Sequence, residues 1–147
     1  MKRIALLTVL VCLLLVVGCS RGLSPSVTES SGLKPLAVFY GRYQSQHRGK
    51  PPEKESEFRK FLDALPASEL LSFNVKSIDE ILVSPRDHQP YTILYGFPKG
   101  PPEGPGGVPI IAYEQTGVGD KRLVASSLGG VEEVDEARFQ KLVPSAP

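Results

Sequence analysis

The sequence predicts an α+β fold, with N-terminal helices packed on a small antiparallel meander sheet and a short C-terminal helix. Three observations carry this expectation. Apolar residues recur at helical spacing from Leu33 to Leu65. From residue 80 the pattern changes to short runs rich in β-formers, separated by Pro and Gly turns. At Asp135 a capping signature restores helix. Helices first, then strands, then a helix is the order of an α+β domain.

The chain opens with Lys2 and Arg3, followed by an apolar run over 4–17 interrupted only by Thr8. At 14 residues this run is shorter than the roughly 20 that cross a bilayer as a helix. A basic start before a short apolar core is a secretory signal pattern. The run closes on Val16-Val17-Gly18-Cys19. That junction resembles the lipobox of bacterial lipoproteins, with Val16 where Leu is commoner. The resemblance implies cleavage between Gly18 and Cys19, a diacylglycerol on the Cys19 thiol, and acylation of the new amino group. Cys12 follows Val9-Leu10-Val11, has no small residue before it, and belongs to the apolar core of the signal. Loss of 1–18 leaves no free thiol and no disulfide, in an oxidising compartment. Ser20 after the cysteine resembles the pattern of lipoproteins sent on to the outer membrane.

Residues 20–32, SRGLSPSVTESSG, are too poor in apolar side chains to build a core. As a flexible coil they span roughly 20 Å, enough to hold a domain clear of lipid headgroups. The predicted division is therefore 1–18 as signal peptide, 19–32 as lipidated cysteine and linker, and 33–147 as one globular domain.

Within that domain Leu33, Leu36, Ala37, Tyr40 and Tyr43 share a helical face. Pro35 falls in the first turn, where a missing N–H does no harm. Gly49, Pro51 and Pro52 end this helix, predicted over 33–47. The next, over 53–65, starts near Pro52 with Glu53 and Glu55 at its positive end. Phe58, Phe61, Leu62 and Leu65 line one face, and Pro66 stops it. Phe61 and Leu62 are expected in the core, and 67–73 add a further turn.

EILVS (80–84) and YTILYG (91–96) read as strands, joined through PRDHQP. Ser84-Pro85-Arg86-Asp87 suits a type I turn. PKGPPEGPGG (98–107) is a loop, and PIIAYE (109–114) and RLVASSL (122–128) are two more strands. Gly129-Gly130 reads as a two-residue hairpin turn into VEEV. Asp135 caps a last helix over 136–143, with Val134 and Phe139 as its hydrophobic staple. Pro109 and the Glu132-Glu133 pair are expected to blunt the sheet edges against strand addition.

This order resembles the globular part of type II secretion major pseudopilins and related pilin-like domains. Tyr40, Tyr43 and Gly49-Lys50-Pro51-Pro52 stand where that family has a Tyr and then Gly-x-(Tyr/Pro)-Pro. Ser84-Pro85-Arg86-Asp87-His88-Gln89-Pro90-Tyr91 stands for its Asp-Pro-x-Gly-x-Pro-Tyr stretch, with His88 at the Gly position, where a positive φ strains any other residue. The chain also resembles small bacterial lipoproteins that end in a strand, hairpin and helix. Some pseudopilins hold calcium in a C-terminal loop, which makes Glu114 and Asp120 the candidate ligands here. Two carboxylates are few for an ion that takes six to eight oxygens. Pilins assemble through an apolar N-terminal helix kept on the mature subunit, with Glu five residues in. Here the apolar run precedes the cut and Leu23 holds that position, so a tethered monomer is expected.

The histidines are His47 and His88. With Asp63 or Asp87 they are the candidates for a metal or hydrolytic site, but their spacing is not that of ligands, and solvated turn positions are expected. No nucleophile elbow, P-loop or paired-carboxylate motif is present. Helical spacing makes Phe39, Tyr40, Tyr43, Phe58 and Phe61 core rather than a glycan-stacking surface. The formal charge of +1 falls to −1 once Lys2 and Arg3 are lost, which excludes a basic nucleic-acid surface. The expected function is that of a non-catalytic, lipid-anchored module facing the periplasm. It binds a protein or an envelope polymer and has no cofactor beyond the covalent lipid on Cys19. The alternatives are a component of a type II secretion or pilus-like assembly, or an enzyme using His47 or His88.

Overall fold

The computed structural model describes residues 31–96 and 102–143. Gly18, Cys19, Cys12 and the expected linker up to residue 30 lie outside the described residues, as do residues 97–101.

Helix α1 (Leu33–Gln46) buries Leu33, Leu36, Ala37, Phe39, Tyr40 and Tyr43 on one face. Arg48 (φ 58°) and Gly49 (φ 81°) turn the chain out of it, and the Gly49 N–H donates to the Gln44 carbonyl at 2.7 Å. Helix α2 (Glu55–Asp63) packs Phe58 and Leu62 against α1. Phe61 corrects the sequence expectation, because it is only half-buried at the edge of this contact. The seam between the helices runs through Phe58 and Leu62, one turn apart. Phe61 is rotated off it, its ring edge-on to Tyr43 at 5.4 Å.

Helix α3 (Ala67–Ser72) is the extra turn. Asn74 ends it at φ 57°, its N–H donating to Leu71 while the Val75 N–H reaches Leu70 at 3.0 Å. This double bond, with Leu70 and Val75 both buried, is a Schellman stop with Asn in the left-handed position. Residues 80–84, read as a strand, instead belong largely to helix α4 (Ile78–Leu82), and Val83 makes only an isolated bridge to Pro90. The physical reason lies just upstream. Ser77 stands at the N-cap, Asp79 and Glu80 fill the first turn, and the Glu80 carboxylate accepts the Lys76 N–H at 2.8 Å.

Strands β1 (Thr92–Ile93), β2 (Ile110–Tyr113), β3 (Lys121–Ser126) and β4 (Val131–Asp135) form an antiparallel meander in sequence order. The β3–β4 connection is not the two-residue turn expected from Gly129-Gly130. Ala125 pairs with Val131, Ser126 donates to Gly130, and the Gly129 N–H closes a turn on Ser126. Ser127 and Leu128 therefore join the two glycines in the loop. The edge strands are β1 and β4. Glu132 and Glu133 do lie on an edge, whereas Pro109 precedes the interior strand β2 and protects none.

Helix α5 (Glu136–Leu142) starts as expected, with Asp135 accepting the Arg138 N–H at 2.8 Å. Val134 and Phe139 share one apolar cluster. The sheet is covered on both faces. On one, α1, α2 and α4 pack with Ile111, Ala112, Leu123 and Ala125. On the other, α5 packs with Ile110, Tyr113, Val124 and Val134. Burial from both sides explains why β2 is apolar at every position instead of alternating. At one crossing α1 meets the β3–β4 loop so closely that a Cβ on Gly41 would lie 2.1 Å from the Ser127 carbonyl oxygen.

Candidate functional site

Two features converge at one end of the domain: a buried polar clamp under the 84–90 turn, and an open groove beside it.

The clamp begins with Glu114, which directly follows β2 and is fully buried. Its carboxylate accepts the Ser84 hydroxyl at 2.7 Å and the Leu123 N–H at 2.8 Å, and faces the Arg86 guanidinium at 3.6 Å. Arg86 also reaches Glu133 at 2.9 Å. A buried charge is tolerated only when paired and hydrogen-bonded, and each Glu114 oxygen has such a partner. The Tyr91 hydroxyl is buried beside Ser84 and makes no hydrogen bond. Desolvation by burial pushes its pKa up to about 12.

The turn itself is wider than a type I turn. The His88 N–H donates to the Ser84 carbonyl four residues back, at 3.0 Å, and the Ser84 N–H donates to Gln89. The extra residue fits because His88 takes φ 58°, the left-handed value a Gly would adopt freely. Asp87 locks the turn to the β2–β3 loop. One oxygen accepts the Gln89 N–H at 3.0 Å, and the other accepts Gly117 at 2.9 Å. Thr116 lies at 3.4 Å from the same oxygen. Partial burial pushes the Asp87 pKa up, but the backbone donors outweigh it and hold the carboxyl below its ordinary value.

The groove has a volume of about 1030 Å³ and is lined by Pro35, Phe73, Val75, Val83, Pro85 and His88, among others. Part of its rim is apolar: Phe73 and Val83 are each 36% exposed. Phe73 is held by the Schellman stop behind it and by edge-on contact with Phe39, ring centroids 5.3 Å apart. Ser31 and Gly32, where the chain arrives from the linker, also line the groove. Gly32 is needed there, since a Cβ would lie 2.5 Å from the Glu80 carbonyl oxygen.

Of the candidate site residues, Asp87 and Glu114 are brought to this clamp, and His88 to the groove edge. Asp63 lies on α2 and pairs with Arg59 at 3.3 Å. His47 caps α1, stacked on Tyr43 with ring centroids 3.9 Å apart. Glu114 and Asp120 do not share a ligand set: Glu114 is committed to Ser84, Leu123 and Arg86, and Asp120 is exposed at φ 60° in the β2–β3 loop. Among the described residues no group of three or more His, Cys, Asp or Glu side chains is arranged to hold a metal. Sequence reasoning missed the roles of Ser84 and Arg86 and the rim residues Phe73 and Val83. One signal was available for the clamp. A charged residue that directly extends an all-apolar interior strand, as Glu114 extends IIAY, must be buried and satisfied.

A scan against protein-family models, a search of curated proteins and a search of solved structures each find no match to this chain.

Proposed function

We propose that this chain is a lipid-anchored envelope protein whose domain is a non-catalytic module. It is carried by a diacylglycerol on Cys19 after cleavage at Gly18, faces the periplasm, and binds a protein or an envelope polymer. The observation that carries the reading is the short uncharged run ending on Gly18-Cys19. The position of the folded domain supports it. The first described helix begins at Leu33, a linker's length beyond Cys19, and its apolar face is used up in the domain's own core. Among the described residues no helix is long and apolar enough to cross a membrane. The resemblance to pseudopilins and small bacterial lipoproteins supports an envelope location and a pilin-like domain. A role as a monomer rather than an assembly subunit follows from the lack of a retained apolar helix after the cut. The outer membrane is favoured over the inner by Ser20.

Cys19→Ser is expected to release the protein from membranes into the soluble periplasmic fraction, while Cys12→Ser leaves it in place. Mass spectrometry of the mature protein should show a diacylglycerol and an N-acyl group on Cys19. Detergent-free solubility of the unaltered protein would overturn the anchor. Sedimentation of residues 20–147 tests the monomer. Fibres or a dilution-resistant oligomer would favour a secretion or pilus-like assembly instead.

A further inference from the structure

We propose that the face carrying Phe73 and Val83 docks on the surface of the bilayer that anchors the chain. The inference rests on the lipid anchor at Cys19 proposed above and adds an orientation to it.

Geometry carries it first. The chain from Cys19 to Ser31 spans twelve residues, so even fully extended it reaches at most about 40 Å. A domain of this length is roughly 35 Å across. The tether is thus scarcely longer than the domain is wide, and the face that receives it is the one nearest the lipid. Ser31 and Gly32 line the same groove as Phe73 and Val83. The exposed apolar residues on that face are held by rigid structure. Phe73 sits at the Schellman stop and rests on Phe39, and Val83 is bridged to Pro90.

Charge then selects the kind of surface. Lys34 on this face stands against Asp79 and Glu80, and Asp79 is itself paired with Arg59 at 3.1 Å. A face with no excess of positive charge gains nothing from anionic lipid. The contact is therefore apolar: an aromatic ring and aliphatic side chains at the headgroup and acyl boundary.

The chain has no Trp, so a single Trp reports from one place. The lipidated full-length protein, carrying Phe73→Trp, Val83→Trp or Leu128→Trp, is reconstituted into phosphatidylcholine vesicles with brominated acyl chains. Leu128 is the control, 70% exposed on the β3–β4 loop and lining a different groove with Val38 and Gly41. The expected result is quenching at positions 73 and 83 at least threefold stronger than at 128, and unchanged by high salt. Equal quenching at all three positions, with the protein still floating with the vesicles, would overturn the docking and leave the anchor standing. Blue-shifted emission at 73 without quenching would mean that a protein surface covers the face, which also overturns it. Loss of quenching in high salt would overturn the apolar contact. Failure to float with vesicles at all would overturn the anchor, and the docking with it. Val83→Trp keeps the test valid if Phe73→Trp disturbs the Phe39 contact, because Val83 lines the same groove from a different part of the chain.

Discussion

Removing the Glu114 carboxylate should be among the most damaging single changes on this domain. Glu114→Ala deletes a fully buried acceptor and leaves the Leu123 N–H without its 2.8 Å partner. An orphaned buried donor costs about 1–3 kcal/mol. The change also removes one of the two carboxylates facing Arg86, which is 15% exposed in its side chain. Breaking a buried ion pair costs about 3–5 kcal/mol when one charge is left uncompensated. Here Arg86 keeps Glu133 at 2.9 Å, so the lower ends apply and the two losses together should cost about 4 kcal/mol. At about 4 °C per kcal/mol for a domain of this size, the midpoint should fall by about 16 °C. Glu114→Gln keeps the shape and an acceptor for the Leu123 N–H, and its amide N–H can donate to the Ser84 hydroxyl, but it loses the charge facing Arg86, so it should cost less, about 1–2 kcal/mol. The assay is urea unfolding of the purified domain, followed by far-UV circular dichroism. Equal losses for Ala and Gln, or a loss below ~1 kcal/mol for Ala, would show that the carboxylate does not hold the turn.

Four further outcomes are expected. Phe58→Ala should cost about 3–5 kcal/mol, and Phe61→Ala at least ~1 kcal/mol less because its ring is only partly buried; urea midpoints decide the order. Gly41→Ala should destabilise the domain by about 1–3 kcal/mol despite alanine's better helix propensity, since its Cβ would meet the Ser127 carbonyl; a rise in thermal midpoint would contradict the close crossing. Asp87 has a depressed folded pKa, so its contribution is present above the ordinary value of 3.8 and is lost as pH falls through the folded value; Asp87→Asn should lose this acid dependence below pH ~4, and unchanged acid profiles would refute it. Tyr91→Phe should be nearly neutral at pH 7, because the hydroxyl makes no hydrogen bond. Its folded pKa is raised, so wild-type stability should fall as pH rises from 10 toward about 12, and more steeply than in the variant.

Much of the fold was legible because its signals are periodic or local. α1 and α2 could be read from apolar spacing, α5 from one capping aspartate, and the meander from the alternation of short apolar runs with Pro and Gly. What failed depended on neighbours. EILVS is equally apolar as strand or helix, and the choice was made by Ser77 and Glu80, upstream of the run. Phe58 and Phe61 both fit the helical face, and only the position of α1 decides which is buried. Gly129-Gly130 suits a tight hairpin in isolation, but the register of β3 on β4 places the turn around Leu128. The site was less legible than the fold. Asp87, His88 and Glu114 were singled out for chemistry, whereas two of them hold a turn together. The exposed apolar rim has no sequence period at all, because it is assembled from a helix end, a loop and a bridge that only the fold brings side by side.

The contact between Gly41 and Ser127 also sets a schedule. The first helix of the domain finds its seat on β2, β3 and the loop beyond, some eighty residues later in the chain. Long loops must close before such a contact gives any return, which makes its formation slow. A chain still emerging from synthesis therefore cannot complete this core until nearly all of it is available. On the export route proposed here, that delay keeps the polypeptide threadable.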